Sequence, residues 1–290
     1  VQMMPNDPHN FRQFLSKFNI LRQFYVEEDV VERIAREVVE DAAADNVRYM
    51  ELRFTPRALC NVTNAPLKDI VSLVCETANA TAAQHNMMVR HIISMNRHEP
   101  VESGINVLRA ASDYRHLGIV GIDLAGDEAN YSCLPFAPLF EEAKQDGFGI
   151  TIHAGEWADS TSIRDAIQQL SADRIGHGIT AIDNPDIIAM LIERDIVLEI
   201  CPSSNFLSGV ITTMSEHPFQ MLTEAGVRTT INTDDPLICN VTLSDECYQL
   251  MTHLNLDLEA IKAAMRRAAQ STLLPEPERA ALVSEMSGTD

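Results

Sequence analysis

The fold of this chain is decided by the segment Gly149-Ile150-Thr151-Ile152-His153-Ala154-Gly155-Glu156. Its first four residues are glycine, apolar or β-branched, which is typical of a strand buried on both faces in a parallel sheet. We expect His153 to stand at the carboxyl end of this strand. The small residues Ala154 and Gly155 permit a tight turn, so that Glu156 points back toward the histidine. The segment predicts a reaction centre. Taken alone, however, such a segment more often contains a buried histidine that bonds a backbone carbonyl.

The composition limits the class of protein. The chain has 290 residues, of which 46% are apolar and 22% charged, as in ordinary globular enzymes. It contains no run of about 18 apolar residues, so we expect no membrane span. The formal net charge of −20 opposes a nucleic-acid partner and favours a small neutral or cationic substrate. The six cysteines form no C-x-x-C pair and predict reduced thiols in the cytoplasm, although a targeting segment removed upstream stays an alternative.

Strand-like and helix-like segments alternate along the whole chain. Strict alternation predicts a parallel sheet, and its regularity favours a (β/α)8 TIM barrel. An open doubly wound sheet is the alternative, but the glycine-rich phosphate turn typical of it is absent. We expect one catalytic barrel domain over residues 1–290, with a helical tail from Ser244, and a first strand upstream of Val1 because a barrel needs eight. The seven predicted strands are 47–55, 87–95, 118–124, 149–153, 174–177, 196–201 and 227–234.

Polar residues stand at the ends of most of these strands. In a barrel such ends converge on one mouth, where residues are catalytic more often than stabilising. Adjacent carboxylates such as Asp234 and Asp235 repel unless a cation separates them, which predicts a metal bound by His153 and Asp234. A helix cap before Pro236 is the alternative for Asp235. The polar strand-end residues are Thr55, Asp123 with Gly126, His153 with Glu156, His177, Ser203-Ser204-Asn205 and Asp234-Asp235.

Four short runs together resemble those of the adenosine deaminase family. They are Asp-Leu-Ala-Gly-Asp-Glu at 123–128, His-Ala-Gly-Glu at 153–156, Arg-Ile-Gly-His-Gly at 174–178 and Asn-Thr-Asp-Asp-Pro at 232–236. The resemblance extends from about Phe11 to Pro275. It implies a zinc-dependent amidohydrolase on a (β/α)8 barrel that hydrolyses adenosine to inosine and ammonia in purine salvage.

The resemblance also implies roles for individual residues. His153 and Asp234 correspond to zinc ligands. Glu156 corresponds to the acid that protonates the purine at N1. His177 corresponds to the histidine that orients and polarises the attacking water.

Further residues correspond to substrate contacts. Gly126 and Asp235 resemble the groups that bind the purine at N3 and N7. The apolar residues of 11–18 resemble a gate helix over the nucleoside, although their spacing equally fits an ordinary buried helix face. The resemblance therefore implies a nucleoside as the small-molecule partner. The net charge and the lack of a long apolar run predict neither nucleic acid nor membrane as a partner.

One feature of the family pattern is absent. The family's first strand ends in a His-x-His pair that supplies two further zinc ligands, and this sequence contains no His-x-His. We expect that pair upstream of Val1, and one zinc per chain. We expect surface or structural roles for the other histidines, His217 among them. The alternatives are a related deaminase of adenine or modified adenosine, and a metal-free nucleoside-binding relative.

Overall fold

A computed structural model describes residues 1–4 and 6–287 of the chain. Within these residues, seven strands form one sheet in which each strand pairs in parallel with the next one along the chain. All seven predicted strands are confirmed, with ends that differ by a few residues. They are β1 (Tyr49–Phe54), β2 (Met88–Asn96), β3 (Ile119–Ala125), β4 (Gly149–Ala154), β5 (Arg174–His177), β6 (Val197–Ile200) and β7 (Arg228–Ile231).

Side-chain contacts inside the sheet show that it curls as a barrel does. Arg53 on β1 donates a hydrogen bond to Glu199 on β6 at 2.6 Å. Arg174 on β5 makes ion pairs of 2.6 Å with Glu51 on β1 and 2.8 Å with Glu199. In a flat sheet, five steps of about 4.8 Å would separate β1 from β6 by roughly 24 Å. The (β/α)8 fold class is therefore confirmed, while an eighth strand upstream of Val1 stays a prediction.

The interior charges compensate one another. Burial acts to raise the pKa of Glu199, but Arg53 and Arg174 outweigh it and lower that pKa to about 2. Because a buried charge without a partner is strongly destabilising, these residues depend on the curled arrangement that brings them together.

Fourteen α-helices surround the sheet in the described part of the chain. They are α1 (Phe11–Leu21), α2 (Glu28–Ala44), α3 (Pro56–Thr63), α4 (Leu67–Gln84), α5 (Val101–Asp113), α6 (Ala137–Gln145), α7 (Thr161–Gln169), α8 (Pro185–Glu193), α9 (Pro202–Leu207), α10 (Phe219–Glu224), α11 (Pro236–Cys239), α12 (Leu243–Leu254), α13 (Leu258–Gln270) and α14 (Glu276–Ser287). None of the helices in this part is long and apolar enough to cross a membrane.

The C-terminal tail departs from the expectation of continuous helix. Asn255 adopts a left-handed backbone (φ 55°) and ends α12, and residues 271–275 separate α13 from α14. Within this second break, the side chain of Leu273 packs where a Cβ of Gly121 or Gly149 would stand, at the start of β3 and β4. The break therefore closes the end of the barrel opposite the strand mouths.

Three short helices, α3, α9 and α11, were not predicted. Each begins with a proline at its first position, a few residues after a strand end. Proline suits that position because its fixed φ fits a helix start and its missing N–H is not needed there. The strand-end residues Thr55, Cys201 and Asp235 consequently lie at the amino ends of these helices, around the barrel mouth.

Candidate active site

Two of the predicted site residues have an unusual backbone. His177, the last residue of β5, has φ 62°, and Asp234, just after β7, has φ 54°. For residues other than glycine this left-handed conformation costs roughly 1–2 kcal/mol. Such strain persists where surrounding contacts enforce it, and it clusters at functional sites.

His153, His177 and Asp234 form a group that can hold a metal ion. Their ligand atoms all lie within 4.8 Å of one another. Imidazole nitrogen and carboxylate oxygen are donors that zinc accepts. The structure thus brings together the two predicted ligands, His153 and Asp234, and adds His177, for which the sequence predicted another role.

Neighbouring polar groups orient both predicted ligands. His153 Nδ1 lies 3.0 Å from Asp123 Oδ1, so the ring bonds a carboxylate and not the backbone carbonyl that the alternative interpretation required. A proton on Nδ1 leaves the Nε2 lone pair for a metal, the usual arrangement of a histidine ligand. Ser204 donates to Asp234 Oδ2 at 2.7 Å. These contacts fit a zinc site.

Asp123 is fully buried, yet its neighbours favour the ionised carboxylate. Burial acts to raise its pKa, but the Arg53 guanidinium and His153 outweigh burial and lower the pKa of Asp123 below its usual value. Ser94 donates to the same carboxylate at 2.6 Å. The sequence placed Asp123 among the polar strand-end residues without identifying its partner His153.

Glu156 is a buried acid beside these groups. Its Oε2 lies 3.4 Å from His177 Nε2, and the residue is 5% exposed. Burial, reinforced by the charges of Asp234 and Glu128, raises the pKa of Glu156 well above its usual value. This shift favours the protonated form, in the direction that the sequence-based role of proton donor requires.

The turn that carries Glu156 is held by Glu128, a residue to which the sequence analysis gave no role. The buried Glu128 carboxylate accepts four successive backbone N–H groups, those of residues 155–158, at 2.6–3.3 Å. It also accepts the Ser162 hydroxyl at 2.5 Å. Gly155 is required in this turn because its φ is 68° and a Cβ would lie 2.5 Å from Ile163. The final acid of the 123–128 run was the available signal.

The structure gives different information on the two predicted substrate contacts, Asp235 and Gly126. Asp235 stands at the cap position of α11, yet its side chain makes no capping hydrogen bond, which removes support for the capping alternative. Gly126 has φ 93°, and a Cβ there would lie 2.9 Å from His98 Nδ1. Glycine at 126 is thus required for structural reasons, independent of any purine contact.

Helix α1 lies beside the site. Phe14 is 2% exposed and clusters with Ile238 and Cys239 of α11. The ring centroid of Phe11 is 5.8 Å from that of Trp157, next to Glu156 in sequence. This position agrees with the predicted gate helix.

The curled parallel sheet and the histidine–carboxylate site at its strand ends define an amidohydrolase-type enzyme. The model of the family described as adenosine deaminase matches residues 1–289. The chain belongs to the adenosine deaminase family and is a hydrolytic deaminase.

Relatives carry the same family name. An adenosine deaminase of Vibrio vulnificus (strain CMCP6) is 34% identical over 256 residues, which cover 88% of this chain and 77% of the relative. An adenosine deaminase of Erwinia tasmaniensis is 32% identical over 287 residues, covering 99% of this chain and 86% of the relative.

Solved structures of deaminases and an amidohydrolase share the fold. An amidohydrolase from Burkholderia ambifaria with bound zinc is 26% identical, with a TM-score of 0.87 over 94% of this chain and 77% of that one. An Arabidopsis protein complexed with IMP is 26% identical, with a TM-score of 0.88 over 97% and 84%. An adenine deaminase from Arthrobacter aurescens has a TM-score of 0.90 over 97% and 85%, but at 23% identity it shows the fold alone.

Proposed function

We propose that this protein hydrolyses adenosine and deoxyadenosine to the inosine nucleosides and ammonia, with one zinc ion per chain. The observation that carries the proposal is the position of Glu156. It is a buried acid with a raised pKa, 3.4 Å from His177 and beside a group of side chains that can hold a metal.

Glu156 has the chemistry of a general acid at purine N1. Addition of water at C6 moves negative charge onto the ring, and a proton delivered to N1 neutralises it in the same step. The burial that raises the pKa of Glu156 favours retention of this proton. His177, in contact with Glu156, orients the water toward C6.

His153 and Asp234 would hold the zinc, with Asp123 and Ser204 keeping these ligands in place. The chemistry that a bound zinc supplies is activation of water as a nucleophile at neutral pH. Asp235 and Gly126 are the proposed contacts to N7 and N3. For Asp235 the absence of a capping hydrogen bond supports this role.

A nucleoside suits the chain better than a nucleotide. The formal net charge is −20, so the phosphate group of a nucleotide meets a repulsive potential. A deaminase of a modified adenosine monophosphate is the second candidate, because the 26% identical Arabidopsis structures include an N6-methyl-AMP deaminase.

Release of ammonia from adenosine, adenine and AMP, and of methylamine from N6-methyl-AMP, tests the proposal, together with zinc content by elemental analysis. We expect adenosine to have the highest kcat/KM and the purified protein to contain about one zinc per chain. A higher kcat/KM for adenine or for either nucleotide would reject adenosine as the preferred substrate. Full activity after complete removal of metal would reject the zinc.

A further inference from the structure

A chain of hydrogen bonds leads from helix α10 to His177 through buried groups. The backbone N–H of Phe219 donates to His217 Nδ1 at 3.1 Å. His217 Nε2 lies 3.3 Å from Asn205 Oδ1, and Asn205 Nδ2 lies 3.1 Å from His177 Nδ1. All four residues are at most 3% exposed, so no bulk water competes for these contacts.

The direction of every bond in this chain follows from its first donor. A backbone N–H can only donate, so His217 Nδ1 accepts and the proton of the neutral ring lies on Nε2. Asn205 must then present its carbonyl oxygen to His217 and its NH₂ group to His177. The 3.5 Å contact of Asn205 Nδ2 with Glu156 Oε1 agrees, because a carboxyl oxygen can accept from NH₂.

We propose that His217, acting through Asn205, fixes the proton of His177 on Nε2, which makes His217 and Asn205 positioning residues. The catalytic consequence of this tautomer rests on the proposed deaminase function. His177 Nδ1 accepts from Asn205, so the single ring proton faces Glu156 Oε2 at 3.4 Å and Asp234 Oδ2 at 3.9 Å. A protonated Nε2 donates to the attacking water and cannot ligate a metal. His177 is thus a hydrogen-bond donor, although it lies within the metal-compatible group.

Nitrogen NMR of the imidazoles reads the tautomer without any turnover. In ¹⁵N-histidine-labelled protein, the His177 signals are assigned by their loss in His177→Gln. We expect His177 Nε2 to show the protonated shift and Nδ1 the unprotonated one, with the same pattern for His217. A proton on Nδ1 of His177, in the metal-free or the zinc-loaded protein, would overturn the inference whatever the enzyme's substrate.

Two substitutions at His217 separate its two hydrogen bonds. In His217→Asn the amide oxygen replaces Nδ1 and keeps the bond from Phe219 N–H, but the donor to Asn205 is lost. In His217→Gln the amide NH₂ replaces Nε2 and keeps that donor, while the bond from Phe219 is lost. The pair therefore distinguishes support of α10 from orientation of Asn205.

We expect His217→Asn to lower kcat by about tenfold or more with little change in KM, since a wrong histidine tautomer lowers kcat by up to roughly 10⁴-fold in other enzymes. His177 should then show a mixture of tautomers. His217→Gln should retain the wild-type His177 signals and a kcat well above that of His217→Asn, with a lower melting temperature. Equal kcat losses in the two variants would overturn the inference.

His91 provides a matched control far from the mouth. It is a fully buried histidine whose Nε2 contacts Asn79 Oδ1 at 3.1 Å. His91→Asn disrupts an equivalent buried pair, so it should lower stability and leave kcat unchanged. A kcat loss equal to that of His217→Asn would show that lost stability alone explains the effect, and would reject the proposed positioning role. If no variant deaminates adenosine, the proposed function fails, while the NMR result still decides the tautomer.

Discussion

Replacement of Glu128 by glutamine tests whether one buried carboxylate positions the proton donor Glu156. Oε1 of Glu128 accepts from Gly155 N and from the Ser162 hydroxyl, and Oε2 accepts from three further backbone N–H groups. If Oε2 becomes NH₂ in Glu128→Gln, three backbone bonds are lost and donors face a donor. If Oε1 becomes NH₂, the Gly155 bond is lost, while the Ser162 hydroxyl can turn to accept from the new NH₂. Hydrogen bonds to a charged group contribute about 1.5–3 kcal/mol each. The expected loss of unfolding free energy is therefore about 1.5–3 kcal/mol or more, a sizeable part of a total of about 5–15 kcal/mol.

The melting temperature and the deamination rate measure the two consequences. A loss of this size should lower the melting temperature by roughly 3 °C or more. Displacement of Glu156 by about 1 Å should lower kcat by around 100-fold. Ser162→Ala removes a single bond to the same carboxylate and should show smaller effects of the same kind.

Asp127→Asn is the matched control for Glu128→Gln, because the Asp127 carboxylate contacts only the neighbouring Asn130 among its described hydrogen bonds. It should retain both the melting temperature and kcat. The reasoning is refuted if Glu128→Gln melts and turns over like the wild type, or if Asp127→Asn is equally impaired.

Three further predictions concern the metal, the purine and pH. Asp123→Asn should weaken zinc binding by about 10–100-fold in chelator competition, because His153 loses its orienting carboxylate; unchanged affinity would count against that role. Asp234→Ala should lose zinc, whereas Asp235→Ala should keep it. The kcat/KM of Asp235→Ala should fall roughly tenfold or more for adenosine but little for 7-deazaadenosine, which lacks the N7 acceptor. Equal zinc loss in both variants would reject the division of roles. Burial lowers the pKa of His91 to about 4, below the unfolded value of about 6.5. The neutral, buried His91 therefore contributes to stability above pH 6.5, and this contribution is lost as pH falls toward 4. Urea unfolding across this range should show a smaller acid-side loss in His91→Asn than in the wild type, and identical pH profiles would contradict the assignment.

The strands were predictable because their signals are local. Most strands contain apolar or β-branched residues next to a turn or proline, and the sequential alternation with helices admits few topologies. The short helices α3, α9 and α11 escaped because they have only four to eight residues, too few for a helical period to show. The interior charges of Glu51, Arg53 and Glu199 gave no local signal of their partners, since their pairing exists only once the sheet curls.

The same distinction separates the site residues that were predicted from those that were not. His153 and His177 lie at the ends of β4 and β5, and Glu156 and Asp234 follow shortly after β4 and β7, so the barrel topology alone brings them together. Their supporting residues come from elsewhere in the chain. Glu128 holds a turn that starts 27 residues later, and His217 was expected to have only a surface or structural role. Pairing of this kind depends on loop conformations that no periodicity encodes.

Asp123 shows why the scaffold and the site cannot be treated separately. Its carboxylate contacts His153 at 3.0 Å and lies 3.9 Å from the guanidinium of Arg53, which also binds Glu199. The charge that orients a proposed metal ligand is therefore stabilised by an arginine on β1 that links β3 to β6. Because a buried carboxylate without its cation would take up a proton, loss of Arg53 would change the hydrogen-bonding state of Asp123 and with it the tautomer of His153. The interior ion pairs thus affect the orientation of the proposed metal ligand His153 at the barrel mouth as well as the curling of the sheet.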